Sequence, residues 1–88
     1  MVSPDQDIKV IKIKLMFFGS LSESMGHREI EVVLSKGTKI NQLMNRFQLS
    51  DFVKSGVKVA INGEITDNYE QLIEDSSEVA FLPPFSGG

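Results

Sequence analysis

Apolar and polar residues alternate in two runs in the first half of the chain, from Ile11 to Phe18 and from Glu29 to Leu34. Alternation with a period of two predicts β-strands that each bury one face. We expect the short segment 19–26 between them to be a loop, so that the two strands pair as an antiparallel hairpin. The residues predicted to face the core are Ile11, Ile13, Leu15, Phe17, Ile30, Val32 and Leu34.

The period then lengthens, because apolar residues recur at positions i, i+3, i+4 and i+7 between residues 40 and 47. This spacing predicts one helix, whose buried face consists of Ile40, Leu43, Met44 and Phe47. Thr38 is the predicted N-cap, since its hydroxyl oxygen can accept a backbone N–H two or three residues further on. Asp51, beyond the helix, is expected to be a charge in a loop.

Alternation returns from Val57 to Ile61, which predicts a third long strand. Asn62-Gly63 follows, and this dipeptide is the strongest short-range hairpin signal because both positions can adopt a positive φ. A two-residue turn here would pair the short strand 64–66 with the third strand and place Ile65 opposite Ala60. Residues 67–73 are then expected to form a turn or a single helical turn.

Within that turn, Tyr69 and Leu72 are expected to pack inward. The last alternating run, from Glu78 to Leu82, predicts the final strand, with Val79 and Phe81 in the core. The strand should stop at Pro83-Pro84 because proline cannot donate a ladder hydrogen bond.

The order of elements is strand, strand, helix, strand, short strand, strand. This order predicts an α+β fold of the β-grasp type, with a mixed sheet of about four to five strands packed on one main helix. We expect residues 1–82 to form this domain, with 1–7 frayed at its start, and residues 83–88 to form an extended C-terminal tail.

Chain length and composition narrow the possible chemistry. The chain has 88 residues, enough for one domain with a modest core, which favours a carrier or binding module over a self-sufficient enzyme. There is no cysteine, which excludes disulfides, thiolate metal sites and a persulfide carried on this chain. With one histidine, His27 in a predicted loop, a multi-histidine metal site cannot be built. We expect no bound metal.

Charge is divided unevenly along the chain. Residues 1–58 hold all nine basic residues against six acids, whereas residues 59–88 hold six acids and no base. An acidic half disfavours nucleic acid and suits a basic protein partner, although an acidic surface kept for solubility explains it equally well. No apolar run approaches the roughly 18 residues of a membrane span, and the start lacks a signal-peptide pattern. These features predict a cytoplasmic protein that binds no membrane.

Strand parity also predicts an apolar patch on the side of the sheet away from the core. Phe18, Ala60, Ile65 and Leu82 should all face that side, close to the point where the tail leaves. Exposed apolar patches of this kind often bind partners. The alternatives are that a loop covers these residues or that they lie scattered.

The chain ends Pro83-Pro84-Phe85-Ser86-Gly87-Gly88. The six residues can reach at most about 20 Å, and the two glycines could enter a channel too narrow for other residues. Activated as an acyl-adenylate, the Gly88 carboxylate would accept sulfur to give a thiocarboxylate, or a lysine amine to give an amide. A chance or artificial diglycine is the alternative, expected about once in two hundred chains at average glycine usage.

Three segments of the chain resemble a known family, the small sulfur-carrier subunit of molybdopterin synthase. This is the MoaD family within the MoaD/ThiS ubiquitin-like sulfur carriers. The matching segments are KLMFFG at 14–19, VAINGE at 59–64 and EVAFLPPFSGG at 78–88. The likeness covers nearly the whole chain from Ile8, and the Pro-Pro-x-Ser-Gly-Gly ending is its most specific part.

The resemblance implies a sequence of reactions carried out with other proteins. An adenylating enzyme of the ubiquitin-activating (MoeB-like) kind would activate Gly88 with ATP and magnesium, and a sulfur donor protein would convert it to a thiocarboxylate. Gly87 would give the tail access to the large catalytic (MoaE-like) subunit of the synthase. There sulfur would pass to the cyclic pterin monophosphate precursor. The chain itself would be a non-catalytic, sulfur-donating subunit without a bound cofactor.

The resemblance also implies an assembly and a binding surface. The first and last strands would lie parallel at the centre of the sheet, and two small and two large subunits would form a heterotetramer. The residues implied to contact partners are Phe18, Ile65, Leu82, Pro83, Pro84, Phe85 and Ser86. Phe85 is bulkier than the small aliphatic residue usual in the family, which bears on partner fit. Relatives that modify proteins, or that serve tRNA thiolation or thiamine synthesis, leave those functions open as alternatives.

Overall fold

The computed structural model describes residues 9–84. Predictions about residues 1–7, and about Phe85, Ser86, Gly87 and Gly88, lie outside the described residues. The elements, in chain order, are β1 (Val10–Phe17), α1 (Ser20–Met25), β2 (Glu29–Ser35), α2 (Ile40–Arg46), α3 (Ser50–Lys54), β3 (Lys58–Ile61), β4 (Glu64–Thr66) and β5 (Glu78–Leu82). None of the helices in this range is long and apolar enough to cross a bilayer.

The five strands form one mixed sheet in the order β2-β1-β5-β3-β4. β1 and β5 are parallel, with Leu15 opposite Val79, and the other three neighbouring pairs are antiparallel. Because parallel strands need a crossover, everything between β1 and β5 serves as their connection. The parallel pair of first and last strands, and with it the β-grasp architecture, is confirmed.

One face of the sheet carries the core. The alternating residues of β1 and β5 are buried there, and the rings of Phe17 and Phe81 stack with centroids 6.0 Å apart. Ile40, Leu43 and Met44 of α2 belong to the same cluster, which confirms the predicted buried face of the helix. We call this side of the sheet the core face and the opposite side the outer face.

The predicted loop 19–26 is wrong, since residues 20–25 form α1. Leu21 is only 3% exposed and belongs to the core, while Met25 packs against it one helical turn later. A helical turn places residues i and i+4 on one side, which a loop would not do. Gly26 ends the helix with φ 79°, and its N–H donates to the carbonyl oxygen of Ser22.

The predicted N-cap of the main helix is also wrong. The Thr38 hydroxyl donates to the carbonyl oxygen of Ser35 at 2.6 Å, so it serves the preceding turn instead. The N-cap residue is Lys39, whose N–H donates to the side-chain oxygen of Gln42 at 2.8 Å. The first N–H groups of α2, those of residues 40 and 41, donate to the carbonyl oxygens of residues 71 and 69. A distant segment therefore caps this helix.

The segment 67–73 differs from expectation at one residue. Tyr69 packs against the core as predicted, but Leu72 is 55% exposed and Ile73 is buried in its place. Leu72 forms a bridge with Lys39, and the N–H of Ile73 donates to the carbonyl oxygen of Thr38. The backbone is extended here, so neighbouring side chains point to opposite sides and only Ile73 can face inward.

Asp51 lies in a helix, not in a loop, because residues 50–54 form α3. The helix ends in a Schellman motif, in which the N–H of Val57 donates to the carbonyl oxygen of Phe52 and the N–H of Gly56 to that of Val53. Gly56 adopts φ 113°, as this motif requires of its glycine. Phe52 and Val53 pack against the core, which explains why so short a helix forms.

Candidate functional site

The predicted Asn62-Gly63 turn is present. Both residues have positive φ, 51° and 88°, and the register places Ile65 opposite Ala60 as expected. Asn62 also binds the start of β5, because its N–H donates to the Glu78 carbonyl oxygen and its side-chain oxygen accepts the Glu78 N–H. The hairpin is thereby held beside the central strands.

One row of apolar side chains crosses four strands on the outer face. Met16 on β1 lies opposite Ala80 on β5, Ala80 opposite Ala60 on β3, and Ala60 opposite Ile65 on β4. Because the two central residues are alanines, the row is low in the middle and high at both ends. Phe18 and Leu82 close one side of this depression.

This depression, which we call the outer groove, has a volume of about 290 Å³. Ile65 is 64% and Phe18 42% exposed, whereas Ala60 is buried at 4% and forms the floor. The lining residues are Met16, Phe18, Ala60, Gly63, Ile65, Glu78, Ala80 and Leu82. The predicted residues are therefore brought together, although Ala60 is not itself an exposed member.

Met16 and Ala80 line the groove as well, and the predicted patch missed both. Both residues alternate with core residues, Met16 with Leu15 and Phe17 and Ala80 with Val79 and Phe81, so the signal was present in the alternation of β1 and β5. What the alternation lacked was the register between the strands, which puts the two residues side by side.

Charged pairs occupy the outer face beside the groove. The Lys14 ammonium lies 3.6 Å from the Glu29 carboxylate and 4.0 Å from that of Glu78, and Lys12 lies 3.9 Å from Glu31. These side chains are well exposed, so each pair contributes only about 0–1 kcal/mol to stability. Their main effect is to bound the apolar surface on the side of β1 and β2.

Acidic residues border the groove on its other flank. A polar depression of about 470 Å³ lies between β4 and residues 71–77, and Glu64 and Glu74 line it together with Ile65 and Leu72. Leu72, exposed contrary to prediction, adds an apolar side chain to this acidic surface. A partner that covers Ile65 would therefore meet carboxylates next to the apolar contact.

The groove ends where the tail begins. Leu82 lines it and is followed by half-buried Pro83 and exposed Pro84. The N–H of Phe18 donates to the carbonyl oxygen of Phe81 at 3.2 Å, which holds the end of β1 beside the end of β5. Any group carried on the C-terminal segment is thus attached at the edge of the outer groove.

The described residues offer little else in the way of reactive groups. Between residues 9 and 84, no set of three or more His, Cys, Asp or Glu side chains is placed to hold a metal ion. His27 is exposed in the connection between α1 and β2. The outer groove with its adjoining tail exit is therefore the candidate site.

The chain matches one protein family and shares its fold with several solved structures. The sequence profile of the ThiS family matches residues 15–88. No curated protein matches the chain. Among solved structures, the chain is similar in fold to the putative molybdopterin converting factor subunit 1 from Pyrococcus furiosus. The two are 21% identical with a TM-score of 0.72, over 85% of this chain and 99% of that one.

Two further structures share the fold. Small archaeal modifier protein 1 from Haloferax volcanii is 16% identical with a TM-score of 0.71, over 85% of this chain and 99% of that one. A complex of subunits 1 and 2 of the molybdopterin-converting factor from Helicobacter pylori contains a chain that is 21% identical with a TM-score of 0.61. That match covers 89% of this chain and all of the other.

Proposed function

The chain belongs to the ThiS family, the MoaD/ThiS group of ubiquitin-like sulfur carriers, and on that premise we propose that it carries sulfur for synthesis of the molybdenum cofactor. The observation that carries this proposal is the outer groove, an exposed apolar surface that ends at Leu82, where the tail begins. A carrier needs both a docking surface and a reactive end that reaches away from it.

The proposed chemistry takes place at the carboxyl group of Gly88. Its oxygen attacks the α-phosphorus of ATP on a MoeB-like adenylating partner, releasing pyrophosphate and leaving an acyl-adenylate. Sulfide released by a donor protein then attacks the acyl carbon, so that a C–S bond forms, the bond to AMP breaks, and a thiocarboxylate is left. ATP and magnesium belong to the partner in this scheme, and Gly87 allows the chain to pass a narrow entrance.

We propose that the outer groove docks the large, MoaE-like subunit of the synthase. Phe18, Ile65 and Leu82 would provide the apolar contact, and Pro83, Pro84, Phe85 and Ser86 would follow the partner surface toward its active site. The structure of subunits 1 and 2 of the Helicobacter pylori factor together supports a partner of this kind. A cytoplasmic heterotetramer of two small and two large subunits is part of the proposal.

A second candidate function is protein modification. The structural similarity to small archaeal modifier protein 1 favours it, because its TM-score of 0.71 nearly equals the 0.72 of the Pyrococcus protein. The activated Gly88 would be the same, but a lysine amine of a target protein would displace AMP and form an amide. Sulfur delivery to tRNA or to thiamine would use the same thiocarboxylate with another acceptor.

The first test is the intact mass of the purified chain. After incubation with the adenylating enzyme, ATP and a sulfur donor, we expect the mass of the chain to rise by the difference between sulfur and oxygen. This mass increase should be confined to Gly88. Mixing the product with the large subunit and the pterin precursor should return the chain to its original mass. Deletion of Gly88 is the control, and an unchanged mass of the full chain would contradict the proposal.

The same reagents separate the two candidate functions. A modifier forms larger adducts on denaturing gels when target proteins are present, and these adducts need both ATP and Gly88. A carrier for the cofactor pathway forms the thiocarboxylate and transfers its sulfur only when the large subunit and the precursor are added.

A further inference from the structure

Two glycines lie beside the two prolines at which β5 ends. β1 and β5 are parallel with Phe17 opposite Phe81, so two residues further along Gly19 comes opposite Pro83. β3 and β5 are antiparallel with Lys58 opposite Leu82, so the same step places Gly56 opposite Pro84. Each proline thus has a glycine next to it, one just after the end of β1 and one just before the start of β3.

The glycine backbones lie directly against the proline rings. A Cβ atom built on Gly19 would lie 2.9 Å from Cγ of Pro83, and one built on Gly56 would lie 3.3 Å from Cβ of Pro84. Both distances are shorter than ordinary van der Waals contact between carbon atoms. A Cβ on Gly19 would force the Pro83 ring to shift, and one on Gly56 would require Pro84 to move by a few tenths of an ångström.

The close contact with a proline does not follow from the positive φ of these glycines. Gly19 and Gly56 have positive φ, 58° and 113°, but so do Gly26 and Gly37, at 79° and 93°. Nothing lies within 4 Å of the Cβ position of Gly26 or Gly37. The molecule therefore contains glycines that share a positive φ but have no proline beside them.

We propose that Gly19 and Gly56 are positioning residues that hold Pro83-Pro84 from both sides and so set the direction in which the C-terminal segment leaves the sheet. We call this arrangement the glycine clamp. Its effect on activity rests on the proposed function, whereas the clamp itself is a property of the described residues.

The physical need for a clamp comes from the prolines themselves. Proline lacks an N–H, so neither Pro83 nor Pro84 can donate a ladder hydrogen bond to β1 or β3. Its ring fixes φ, and Pro84 also keeps ψ of Pro83 in the extended region, but ψ of Pro84 is free, so the direction of exit depends on what packs against the rings. A glycine on each side restricts both rings and directs the segment that would carry the reacting carboxyl group.

The clamp is tested first by NMR, without any partner. In the unmodified chain we expect nuclear Overhauser contacts between the Hα protons of Gly56 and the Hβ protons of Pro84. The Cα–Hα residual dipolar couplings of both prolines should fit the alignment tensor of the sheet. In Gly56→Ala the contact should be lost and the couplings of Pro84 should no longer fit.

Gly26→Ala is the matched control, since Gly26 also ends a helix with a left-handed φ but has open space around it. The proline couplings should be unchanged in this variant. If the two variants leave the couplings equally intact, or disturb them equally, the clamp is refuted.

A double-mutant cycle tests the consequence for activity. Gly19→Ala should lower kcat/KM for adenylation about tenfold, less than the hundredfold that a full ångström of misplacement can cost. Gly37→Ala should lower it less than about twofold. Pro83→Ala removes the Cγ atom with which the new Cβ would clash. The fold loss in kcat/KM of the double variant should therefore be clearly smaller than the product of the two single fold losses. Multiplicative losses would overturn the clamp.

Two experimental failures can be told apart from failure of the clamp: a variant that does not fold, and an unmodified chain that is not adenylated. If Gly19→Ala fails to fold, Gly56→Ala replaces it as a single variant, because its Cβ would lie 0.4 Å further from the proline that it faces. Its loss in kcat/KM should exceed that of Gly37→Ala, and equal losses would overturn the clamp. If the unmodified chain is not adenylated at all, the proposed function fails, and the NMR comparison of Gly56→Ala with Gly26→Ala still decides the clamp.

Discussion

At the residue scale, small side chains shape the outer groove as much as large ones do. Ala60 and Ala80 form its low centre, while Ile65 and Phe18 rise at its margins with much of their surface exposed. An exposed isoleucine on a three-residue edge strand contributes little to the fold. Its exposure instead makes it a strong candidate for contact with a partner.

Ile65→Ala should therefore weaken binding of the large subunit without unfolding the chain. We expect a loss of about 1–3 kcal/mol in binding free energy, as for a central apolar contact in an interface. Val33→Ala is the matched control, because Val33 is 56% exposed on β2 but does not line the groove. Calorimetric titration measures both, and equal losses in the two variants would argue against the groove as the docking site.

At the element scale, the short helices α1 and α3 do more than connect strands. α1 supplies Leu21 to the core, and the C-terminal turn of α3 leads into Gly56, one of the two residues of the glycine clamp. Neither helix, at six and five residues, is long enough to be stable alone. Burial of their apolar side chains stabilises them, so they exist only in the folded molecule.

Leu21→Ala tests this account of α1. Because Leu21 is buried, we expect the free energy of unfolding to fall by about 2–5 kcal/mol. Leu72→Ala serves as comparison, since Leu72 is 55% exposed and should change stability by less than about 0.5 kcal/mol. Urea denaturation followed by circular dichroism gives both values. A small loss for Leu21→Ala would mean that α1 is not part of the core.

At the scale of the whole molecule, the last of the five described strands in chain order, β5, lies in the middle of the sheet. β5 pairs with β1 on one side and β3 on the other, so the C-terminal segment leaves from the centre, between two neighbouring strand ends. This topology places the exit next to the outer groove. Two of the six acids in residues 59–88, Glu64 and Glu74, share one depression beside β4.

That charge distribution predicts an association rate that depends on salt. Replacing Glu64 and Glu74 together with glutamine should slow binding to a basic partner several-fold at low ionic strength, with little difference at about 1 M salt. Asp51→Asn on α3 removes a charge elsewhere and should have a smaller effect. Stopped-flow fluorescence measures the rates. If Asp51→Asn lowers the logarithm of the rate by half as much as the two glutamine replacements together, net charge alone is responsible.

Local pattern was sufficient for the strands and for the faces that they bury. The alternation in β1 identified its four core residues, and Asn62-Gly63 identified a turn whose register then placed Ile65 correctly. Local pattern gave wrong predictions at Thr38, at Leu72 and at both short helices. In each of these places a distant segment competes for the backbone or the side chain, and no periodicity within a few residues reports such competition.

The sequence by itself determined the five strands, the main helix, the outward position of the groove residues and the order of residues in the C-terminal segment. It did so because alternation and helical spacing act within one element. The tertiary structure decided the parallel contact of β1 with β5, the capping of α2 by residues 69–71, and the meeting of Gly19 and Gly56 with Pro83-Pro84. Those contacts join residues far apart in the chain, and only the packed sheet brings them within reach.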